Sequence, residues 1–406
     1  MVESGRLMME SQFVQSLAVL KAGIDAGLHP GAQLYVSLHG QVLANIAVGE
    51  ARPGVAMTPD SLNLWLSSTK PVGAVVIAQL WERGLLELDD PVVKFIPEFG
   101  QKGKEAITVR HILTHTAGFR APPRSEDSPW EQIIAELCAA RQEPGWVPGQ
   151  KAGYHPASSW YMLGEIVRRL DGREYSSYVR KMIFEPLGMN DSWVGMSLDT
   201  FHAYGDRIAL MQDTTKSPSV PLDAERIATS CRPGSGGWGP VRELGRFYEM
   251  LMNRGRVSVL VGSALADGIS PKPGTYSSGT IPSAKADPTK RREKIAILSA
   301  QSVEAITARH RAGMMDVTFK TPIDWGLGFL LNSTEPRDDL PYGYGLRASP
   351  RTFGHGGAQS SGGFCDPERG LVVAYVFNGR PGEERHHERR KRMLEAVDAD
   401  LMLQPK

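Results

Sequence analysis

The chain has few cysteines, almost no net charge and no long apolar segment, and each absence excludes a class of protein. Its three cysteines in 406 residues, Cys138, Cys231 and Cys365, have no metal-ligand spacing and predict neither a disulfide framework nor a zinc site. A formal net charge of +1 argues against nucleic-acid binding. Residues 1–10 lack the apolar core of a secretory signal, and no apolar run reaches the length of a membrane span. We therefore expect a cytoplasmic protein with no membrane partner.

The overall composition is that of an ordinary soluble protein, with 41% hydrophobic and 22% charged residues. A chain of this length can bury one large core or two moderate ones. The marked charge cluster runs from Arg385 to Arg392, and we interpret it as the solvated face of a C-terminal helix that ends near Leu403. In that interpretation His386 and His387 lie at the surface. A polyanion site on the same cluster is the alternative.

Hydrophobic periodicity and turn residues predict an early hairpin, a helical middle and late strands. The hairpin has arms at 33–38 and 41–48 around the turn His39-Gly40. A helix from about Thr69 to Arg83 ends at Gly84. Residues 268–292 are rich in Gly, Pro, Ser and Lys, which predicts a long mobile loop. Further helices are predicted at 10–27, 107–114, 128–140, 158–171, 174–184 and 241–253, and strands at 352–355, 362–364 and 371–378.

These elements predict an α/β fold that carries an inserted helical domain. The first hairpin and the late strands need each other to make a sheet with buried faces. We therefore predict an α/β body (an α+β sandwich), with an antiparallel sheet flanked by helices, built from residues 10–68 and 190–406. Residues 69–189 would form a mainly helical inserted domain, and the active site would lie in the cleft between the two domains.

The most informative short motif is Ser67-Ser68-Thr69-Lys70, which stands where a loop gives way to an apolar helix. At a helix start, Ser67 and Lys70 lie on one face, one turn apart. A serine hydroxyl is protonated near neutral pH and needs a base within hydrogen-bond reach to act as a nucleophile. A lysine supplies that base when burial or a neighbouring positive charge makes its neutral form accessible. The free N–H groups of the helix start can stabilise an oxyanion, so the motif indicates acyl-transfer chemistry.

No Gly-x-Ser-x-Gly motif occurs, which argues against an α/β-hydrolase triad. Longer blocks carry a different resemblance: GLLELDDP at 84–91, ITVRHILTHTAGF at 107–119, FEPLGM at 184–189, WGLGF at 325–329 and GHGG at 354–357. Together they resemble the serine β-lactamase-like family, which holds class C β-lactamases, family VIII carboxylesterases and related acyltransferases. The resemblance covers roughly residues 12–380 and implies the β-lactamase/transpeptidase-like fold, with Ser67 as nucleophile and Lys70 as its base.

The resemblance also implies a catalytic tyrosine that opens a Tyr-x-Asn motif in the helical domain. Tyr154 stands in the expected context, and a phenol whose pKa is pulled down toward neutrality could relay the serine proton. The motif reads Tyr154-His155-Pro156, so the asparagine that contacts the lysine and the substrate amide in lactam-cleaving members is absent. This loss argues against β-lactamase activity. His155 is either a polar substrate contact or a solvent-facing loop residue.

The opposite wall of the predicted site is a glycine-rich strand, His355-Gly356-Gly357, which matches the His-x-Gly variant of the family. Its glycines let the backbone approach an acyl group closely. By the resemblance, the N–H groups of Ser67 and Ala358 form the oxyanion hole. A neutral histidine at this position suits an ester better than a substrate carboxylate.

The aromatic residues near these motifs give a weaker signal. Trp325, with Trp146 and Trp238, is predicted either to line an acyl pocket or to belong to the core. His115, inside the block at 107–119, is predicted to be a packed or loop-fixing histidine.

We therefore predict a serine hydrolase that cleaves carboxylic esters through an acyl-enzyme, with a small-molecule ester or acyl donor as partner and no metal or organic cofactor. An acyltransferase with the same Ser-Lys-Tyr site is the first alternative, and a β-lactamase or D-amino-acid peptidase is the next. A non-catalytic binding protein on a hydrolase scaffold is the alternative outside enzymes. The sequence leaves the natural substrate, the choice between hydrolysis and transfer, and the oligomeric state open.

Overall fold

A seven-stranded antiparallel sheet, to which both ends of the chain contribute, organises the molecule. The structure is a computed structural model that describes residues 12–261, 291–335, 337 and 339–403. In spatial order the strands are Leu330–Leu331, Phe353–Gly357, Ser361–Asp366, Leu371–Phe377, Gly31–Leu38, Gln41–Arg52 and Val55–Ala56. The central pair joins Gly31–Leu38 to Leu371–Phe377, with Val36 opposite Val373. The predicted sheet built from both chain ends is confirmed.

The first hairpin follows from its two turn residues. His39 and Gly40 have φ values of 51° and 78°, the left-handed pair that a tight hairpin turn requires. Leu38 pairs with Gln41 across this turn, which fixes the register of both arms. The second arm extends to Arg52, beyond the predicted end at 48.

Helices cover both faces of the sheet because successive strand residues point to opposite sides. Leu34, Val36 and Val373 face the helices Val14–Asp25 and Glu383–Met402, and this side forms one hydrophobic cluster. Tyr35 and its neighbours on the opposite face join a larger cluster, which also contains the helix Val241–Met252 and the helices of the middle of the chain. The predicted antiparallel sheet flanked by helices is therefore confirmed.

Each predicted helix has a counterpart among the described helices, and three further helices, Leu198–Tyr204, Ala224–Thr229 and Ala300–Thr307, were not predicted. The described helices are Val14–Asp25, Lys70–Glu82, Val109–Leu113, Trp130–Ala139, Ser158–Asp171, Tyr175–Val179, Leu198–Tyr204, Ala224–Thr229, Val241–Met252, Ala300–Thr307 and Glu383–Met402. Short 3₁₀ turns lie at Ser67–Thr69, Val92–Lys94, Pro97–Phe99 and Gly205–Arg207, and a π-helical turn at Arg180–Phe184. None of the described helices is both long and apolar enough to cross a membrane.

Small sheets complete the structure around the main one. In one three-stranded sheet, Gly237–Gly239 lies between Asn63–Leu66 and Trp193–Val194 and thereby anchors the segment that enters the Ser67 turn. The others are formed by Gln212–Asp213 with Val220–Pro221 and Gly379–Arg380, by Arg256–Val261 with Arg291–Ala296, and by Met315–Asp316 with Thr321–Pro322. Of the loop predicted at 268–292, residues 268–290 lie outside the described residues. Residues 291 and 292 are described, and they begin a strand. The division into domains at 68/69 and 189/190 stays a prediction.

The C-terminal helix corrects one interpretation of the sequence. It ends at Met402, near the predicted position, but only part of its basic cluster faces solvent. Arg389 and Arg390 are each 3% exposed and His386 is 2% exposed, because the helix lays this side against the sheet and its loops. The prediction of a solvated face is therefore confirmed for Arg385 and Arg392, which are exposed, and wrong for Arg389, Arg390 and His386.

Candidate active site

Ser67 opens a 3₁₀ turn that leads directly into the helix Lys70–Glu82, as the sequence motif predicts. The turn brings Lys70 Nζ to 3.2 Å from the Ser67 hydroxyl oxygen. Pro71 falls at the helix start, where its missing N–H costs no hydrogen bond. The predicted juxtaposition of hydroxyl and amine on one helix face is thus present in the structure.

Lys70 is fully buried, and its amine contacts one hydroxyl and two backbone carbonyls. It donates to the carbonyl oxygens of Pro156 and Gly234, each at 2.8 Å. When the amine is neutral, it has two N–H groups, and it donates both of them to these two carbonyls. Its lone pair is then free to accept the proton of the Ser67 hydroxyl. Burial lowers the pKa of Lys70 to about 7, while the Glu126 carboxylate acts in the opposite direction. Lys70 is therefore suited to serve as a base near neutral pH.

This environment predicts a pH dependence of ester cleavage. Because the neutral amine is the active form, log(kcat/KM) should rise with pH and level off above an inflection near the Lys70 pKa of about 7. Initial rates on a neutral ester across pH 5 to 9 or so measure this inflection. Since Glu126 raises the pKa of Lys70, a Glu126→Gln variant should move the inflection to lower pH. A profile that is flat through neutrality would contradict the role of Lys70 as the base.

The backbone before Ser67 is strained and held by hydrogen bonds to the neighbouring strand. Leu66 has φ 49° and ψ −136°, a conformation that costs a non-glycine residue on the order of 1–3 kcal/mol. Ser361 donates its hydroxyl to the Trp65 carbonyl, and Ser68 Oγ lies 3.2 Å from the His355 carbonyl and 2.9 Å from Ser361 Oγ. These contacts hold the serine turn against the glycine-rich strand.

Tyr154 lies beside this pair, with Lys70 Nζ 5.2 Å from the centre of its ring. The Asp316 carboxylate accepts the Tyr154 backbone N–H at 3.1 Å and is itself fixed by a buried ion pair with Arg311 at 3.0 Å. Burial raises the pKa of the Tyr154 phenol, and a hydrogen bond with the Ser67 hydroxyl acts in the opposite direction without cancelling the rise. The condition that the sequence argument sets for a Tyr154 relay, a phenol pKa drawn down toward neutrality, is therefore not met, and the phenol is protonated at neutral pH.

His155 and His115 are packed inside the molecule. His155 is fully buried, and its Nε2 accepts the Phe119 N–H at 3.0 Å. His115 Nδ1 accepts the His155 N–H at 3.0 Å. The solvent-facing alternative for His155 is wrong, and a substrate contact of His155 stays a prediction. The prediction of a packed, loop-fixing His115 agrees with these contacts.

The glycine-rich strand presents an open edge to the site. Its neighbour Leu330–Leu331 pairs only with Phe353 and Gly354, so the edge at His355–Gly357 has no strand partner on that side within the part of the chain that the structure describes. A side chain at Gly357 would collide with the Trp65 carbonyl, which explains the glycine where the serine turn approaches. Among the described residues, no protein acceptor takes the N–H of Ser67 or of Ala358. Their pairing as an oxyanion hole stays a prediction.

The His355 ring faces inward from the same strand. Its Nδ1 lies 2.7 Å from the Gly356 carbonyl, and burial lowers the pKa of His355 to about 3, with a further contribution from Lys70. The ring is therefore neutral, as the preference for an ester requires. Substrate contacts of His355, Gly356 and Gly357 stay predictions.

The tryptophans belong to the core. Trp325 and Trp238 are fully buried, and Trp146 is 8% exposed. Trp325 packs edge-on against His115 at 4.5 Å and lies parallel to Tyr154 at 5.9 Å between ring centres. Trp325 therefore packs against the Tyr154 ring, and a direct substrate contact of Trp325 stays a prediction.

An open pocket of about 460 Å³ adjoins the site. Pro156, whose carbonyl binds Lys70, forms part of its wall, and Glu126 and Arg232 carry charge into it. The lining residues are Pro122, Pro123, Arg124, Ser125, Glu126, Asp127, Pro156, Ala157, Arg226 and Arg232. The pocket is large enough for the acyl or alcohol part of a small ester.

Two kinds of group at the site were not predicted from the sequence: backbone carbonyls that bind Lys70, and serine hydroxyls that hold the Ser67 turn. The carbonyls of Pro156 and Gly234 bind Lys70, yet a carbonyl has no signature in the sequence. Ser68 and Ser361 were also missed, because isolated serines carry no signal until the fold brings them together.

Comparison with known proteins agrees with this geometry. The family model described as Beta-lactamase matches residues 18–398. The chain is 26% identical over 355 residues to Esterase/beta-lactamase LipL of Mycobacterium tuberculosis. This alignment covers 86% of this chain and 77% of that protein. It is 26% identical over 361 residues to Penicillin-binding protein 4 of Amycolatopsis lactamdurans, with 86% and 81% covered.

A solved structure of similar fold is that of a penicillin-binding protein homologue from Caulobacter crescentus. It matches with a TM-score of 0.73 and 29% sequence identity, over 96% of this chain and 97% of that chain. The predicted β-lactamase/transpeptidase-like fold is confirmed by this match, and the predicted resemblance is confirmed by the family model. The relatives divide between esterase and penicillin-binding proteins.

Proposed function

The chain belongs to the beta-lactamase family of serine hydrolases, and from that premise we propose that it cleaves carboxylic esters through an acyl-enzyme on Ser67. The observation that carries the proposal is the contact of 3.2 Å between the Ser67 hydroxyl and a buried amine whose N–H groups are already directed to two carbonyls. That arrangement supplies a base where a hydroxyl must lose its proton.

Acylation begins when Ser67 Oγ attacks the ester carbonyl carbon and its proton passes to Lys70 Nζ. The carbonyl oxygen gains negative charge in the tetrahedral intermediate, and the free N–H groups of Ser67 and Ala358 are the donors available to stabilise it. Collapse of the intermediate breaks the bond to the alcohol oxygen and leaves the acyl group on Ser67.

Tyr154 has the protonation state that the departing alcohol needs. Its phenol lies beside the Ser67–Lys70 pair and is protonated at neutral pH because burial raises its pKa, so it can give its proton to the leaving alkoxide. The ammonium of Lys70 then restores that proton through the shared network. In the second half-reaction water replaces the alcohol, and the same groups accept and return its proton.

Position 156 favours an ester over a lactam. Pro156 offers Lys70 a carbonyl acceptor but has no amide side chain and no backbone N–H. A lactam substrate would lack the amide donor that the resemblance assigns to this position. Pro156 therefore preserves the lysine contact while it removes a contact to an amide substrate.

A comparison of substrates tests the proposal. We expect kcat/KM for short-chain p-nitrophenyl esters to exceed that for nitrocefin and for a D-alanyl-D-alanine peptide by about two orders of magnitude or more, since one missing polar contact to a substrate costs this much. Release of p-nitrophenol, nitrocefin absorbance and free D-alanine measure the three reactions. Comparable turnover of nitrocefin and ester would contradict the assignment.

The same assay separates hydrolysis from transfer. With a dilute alcohol or amine acceptor present, ester hydrolysis predicts that the free acid remains the main product. Conversion mostly to the acylated acceptor would instead support the acyltransferase alternative.

A further inference from the structure

Arg389 is a buried cation on the C-terminal helix with no role in the reaction described above. It is 3% exposed, and its guanidinium lies 4.1 Å above the ring of Phe377. Its two terminal nitrogens contact the carbonyls of Leu28, Gln359 and Gly379 and the Nδ1 atoms of His29 and His386, all between 2.8 and 3.1 Å.

The charge of Arg389 is not neutralised by these partners. No carboxylate lies within ion-pair distance of it among the described residues, and every contact above is to a neutral acceptor. His29 directs Nε2 toward the Leu20 carbonyl at 3.2 Å, and burial lowers its pKa to about 3, so His29 is neutral. Burial lowers the pKa of Arg389 only to about 9, which leaves it positive at neutral pH. A buried, uncompensated charge polarises the groups it touches.

One of those groups belongs to the turn that carries Ala358. The turn Ala358–Ser360 joins the strand Phe353–Gly357 to the strand Ser361–Asp366. Arg389 Nη2 donates to the Gln359 carbonyl at 3.0 Å, and the N–H of the same peptide, that of Ser360, donates to the Gly357 carbonyl at 3.0 Å. The Gly357 carbonyl in turn shares its peptide with the Ala358 N–H.

We propose that Arg389 strengthens the oxyanion hole through this chain of two polarised peptides, in addition to holding the turn in place. The positive guanidinium draws electron density toward the Gln359 oxygen, which makes the Ser360 N–H a better donor. The Gly357 carbonyl accepts that stronger bond, and the Ala358 N–H becomes more acidic. Arg389 is thus a positioning residue that touches no substrate. The proposal rests on the proposed function, because it needs an oxyanion at Ala358.

A purely structural clamp is the alternative, and the turn has other clamps for comparison. Tyr342 Oη accepts the Gln359 N–H at 3.1 Å, and the Gln359 side chain accepts the Gly382 N–H at 2.8 Å. The Tyr342 contact anchors the turn through a peptide that does not include the Ala358 N–H. A Tyr342→Phe variant therefore loosens the turn without breaking the chain of polarised peptides.

Arg390 supplies a matched control for the loss of a buried arginine. It is the next residue of the helix, is equally buried, and contacts the carbonyls of Gly343 and Leu340, which lie outside the turn. Arg389→Met and Arg390→Met each remove a buried guanidinium of similar size. Arg389→Lys keeps the charge at the first position.

The experiment measures kcat, KM and thermal unfolding of these four variants with a p-nitrophenyl ester, and the infrared carbonyl stretch of the acyl group on Ser67. Loss of a whole oxyanion donor costs on the order of 10²–10³ in kcat, and polarisation changes the strength of a hydrogen bond by about 10–30%, so weakening one donor through a relay should lower kcat about two- to fivefold. We expect Arg389→Met to lose roughly that much kcat with KM little changed and to raise the carbonyl frequency. Arg389→Lys should recover most of the loss, and Arg390→Met and Tyr342→Phe should leave the frequency unchanged.

The outcomes separate the two hypotheses. Equal losses of kcat in Arg389→Met and Arg390→Met, or a loss without a change in the carbonyl frequency, would overturn the proposal and leave Arg389 as a clamp. If Arg389→Met fails to fold, Arg389→Gln decides, because glutamine keeps an N–H donor for the Gln359 carbonyl but carries no charge, and an unchanged kcat and carbonyl frequency in that variant would also overturn the proposal. Failure of a fluorophosphonate to label Ser67 in the parent protein would instead show that the proposed function is wrong.

Discussion

Replacement of Ser67 by alanine is expected to lower ester turnover by at least about 10⁴-fold, because the nucleophile and the covalent intermediate are lost together. Covalent labelling by a fluorophosphonate should disappear as well. Stability should change little, since Lys70 keeps its carbonyl acceptors at Pro156 and Gly234 when the serine contact is removed. Intact-protein mass spectrometry after labelling, together with thermal unfolding, measures both quantities.

The adjacent serine provides a matched control. Ser68→Ala deletes the same atom one residue away, and that hydroxyl contacts the His355 carbonyl and Ser361 Oγ rather than Lys70. We expect this variant to be labelled at Ser67 and to retain turnover, at a reduced rate because the turn is less firmly held. Labelling that survives in Ser67→Ala would identify another nucleophile and overturn the mechanism.

Replacement of Lys70 has the second large effect. Lys70→Met removes the base while it preserves most of the side-chain volume, and we expect kcat/KM to fall about 10³- to 10⁴-fold and the rise of activity near pH 7 to vanish. Lys70→Arg should fall equally, because a guanidinium keeps the positive charge but does not release its proton near neutral pH. This pair of variants distinguishes a base from a charge that merely attracts substrate. Activity restored by arginine would contradict the proposed role.

Lys70→Met should also destabilise the fold, since it leaves two buried carbonyls unpaired at about 1–3 kcal/mol each. Lys104 is a matched control for that loss. It is fully buried and donates to three carbonyls, those of Gln101, Cys138 and Ala140. Lys104→Met should therefore lower the unfolding temperature as Lys70→Met does, yet keep esterase activity at temperatures where it is folded.

The sequence predicted features that depend on neighbours in the chain. The hairpin at His39-Gly40 follows from two adjacent turn residues, and the helix Lys70–Glu82 follows from an apolar run that ends at Gly84. The contact between Ser67 and Lys70 needs only one helical turn, so it too was predictable. The resemblance to a family added Tyr154, which lies far from both in sequence.

Features that depend on burial were beyond the sequence. The C-terminal helix carries its basic residues at the spacing of a surface helix, but Arg389 and Arg390 find enough carbonyl acceptors inside to be buried. The direction of the Tyr154 pKa shift is set by the packing around the ring, against the hydrogen bond to Ser67. The burial of His155 could not be predicted because the segments that cover it are distant in the sequence, and the residues next to it in the chain do not indicate burial.

The pairing of Gly31–Leu38 with Leu371–Phe377 has a consequence for biosynthesis. The second strand of the first hairpin is made directly after Gly31–Leu38 and can pair with it early, but the other side of Gly31–Leu38 stays open until Leu371–Phe377 has been made. Contacts of such long range form slowly because a large loop must be closed first. Since Ala358 lies in the turn before Ser361–Asp366, a nascent chain that already contains Ser67 and Lys70 lacks the predicted oxyanion donor, and the strands that hold it, until this late part of the sheet has been made.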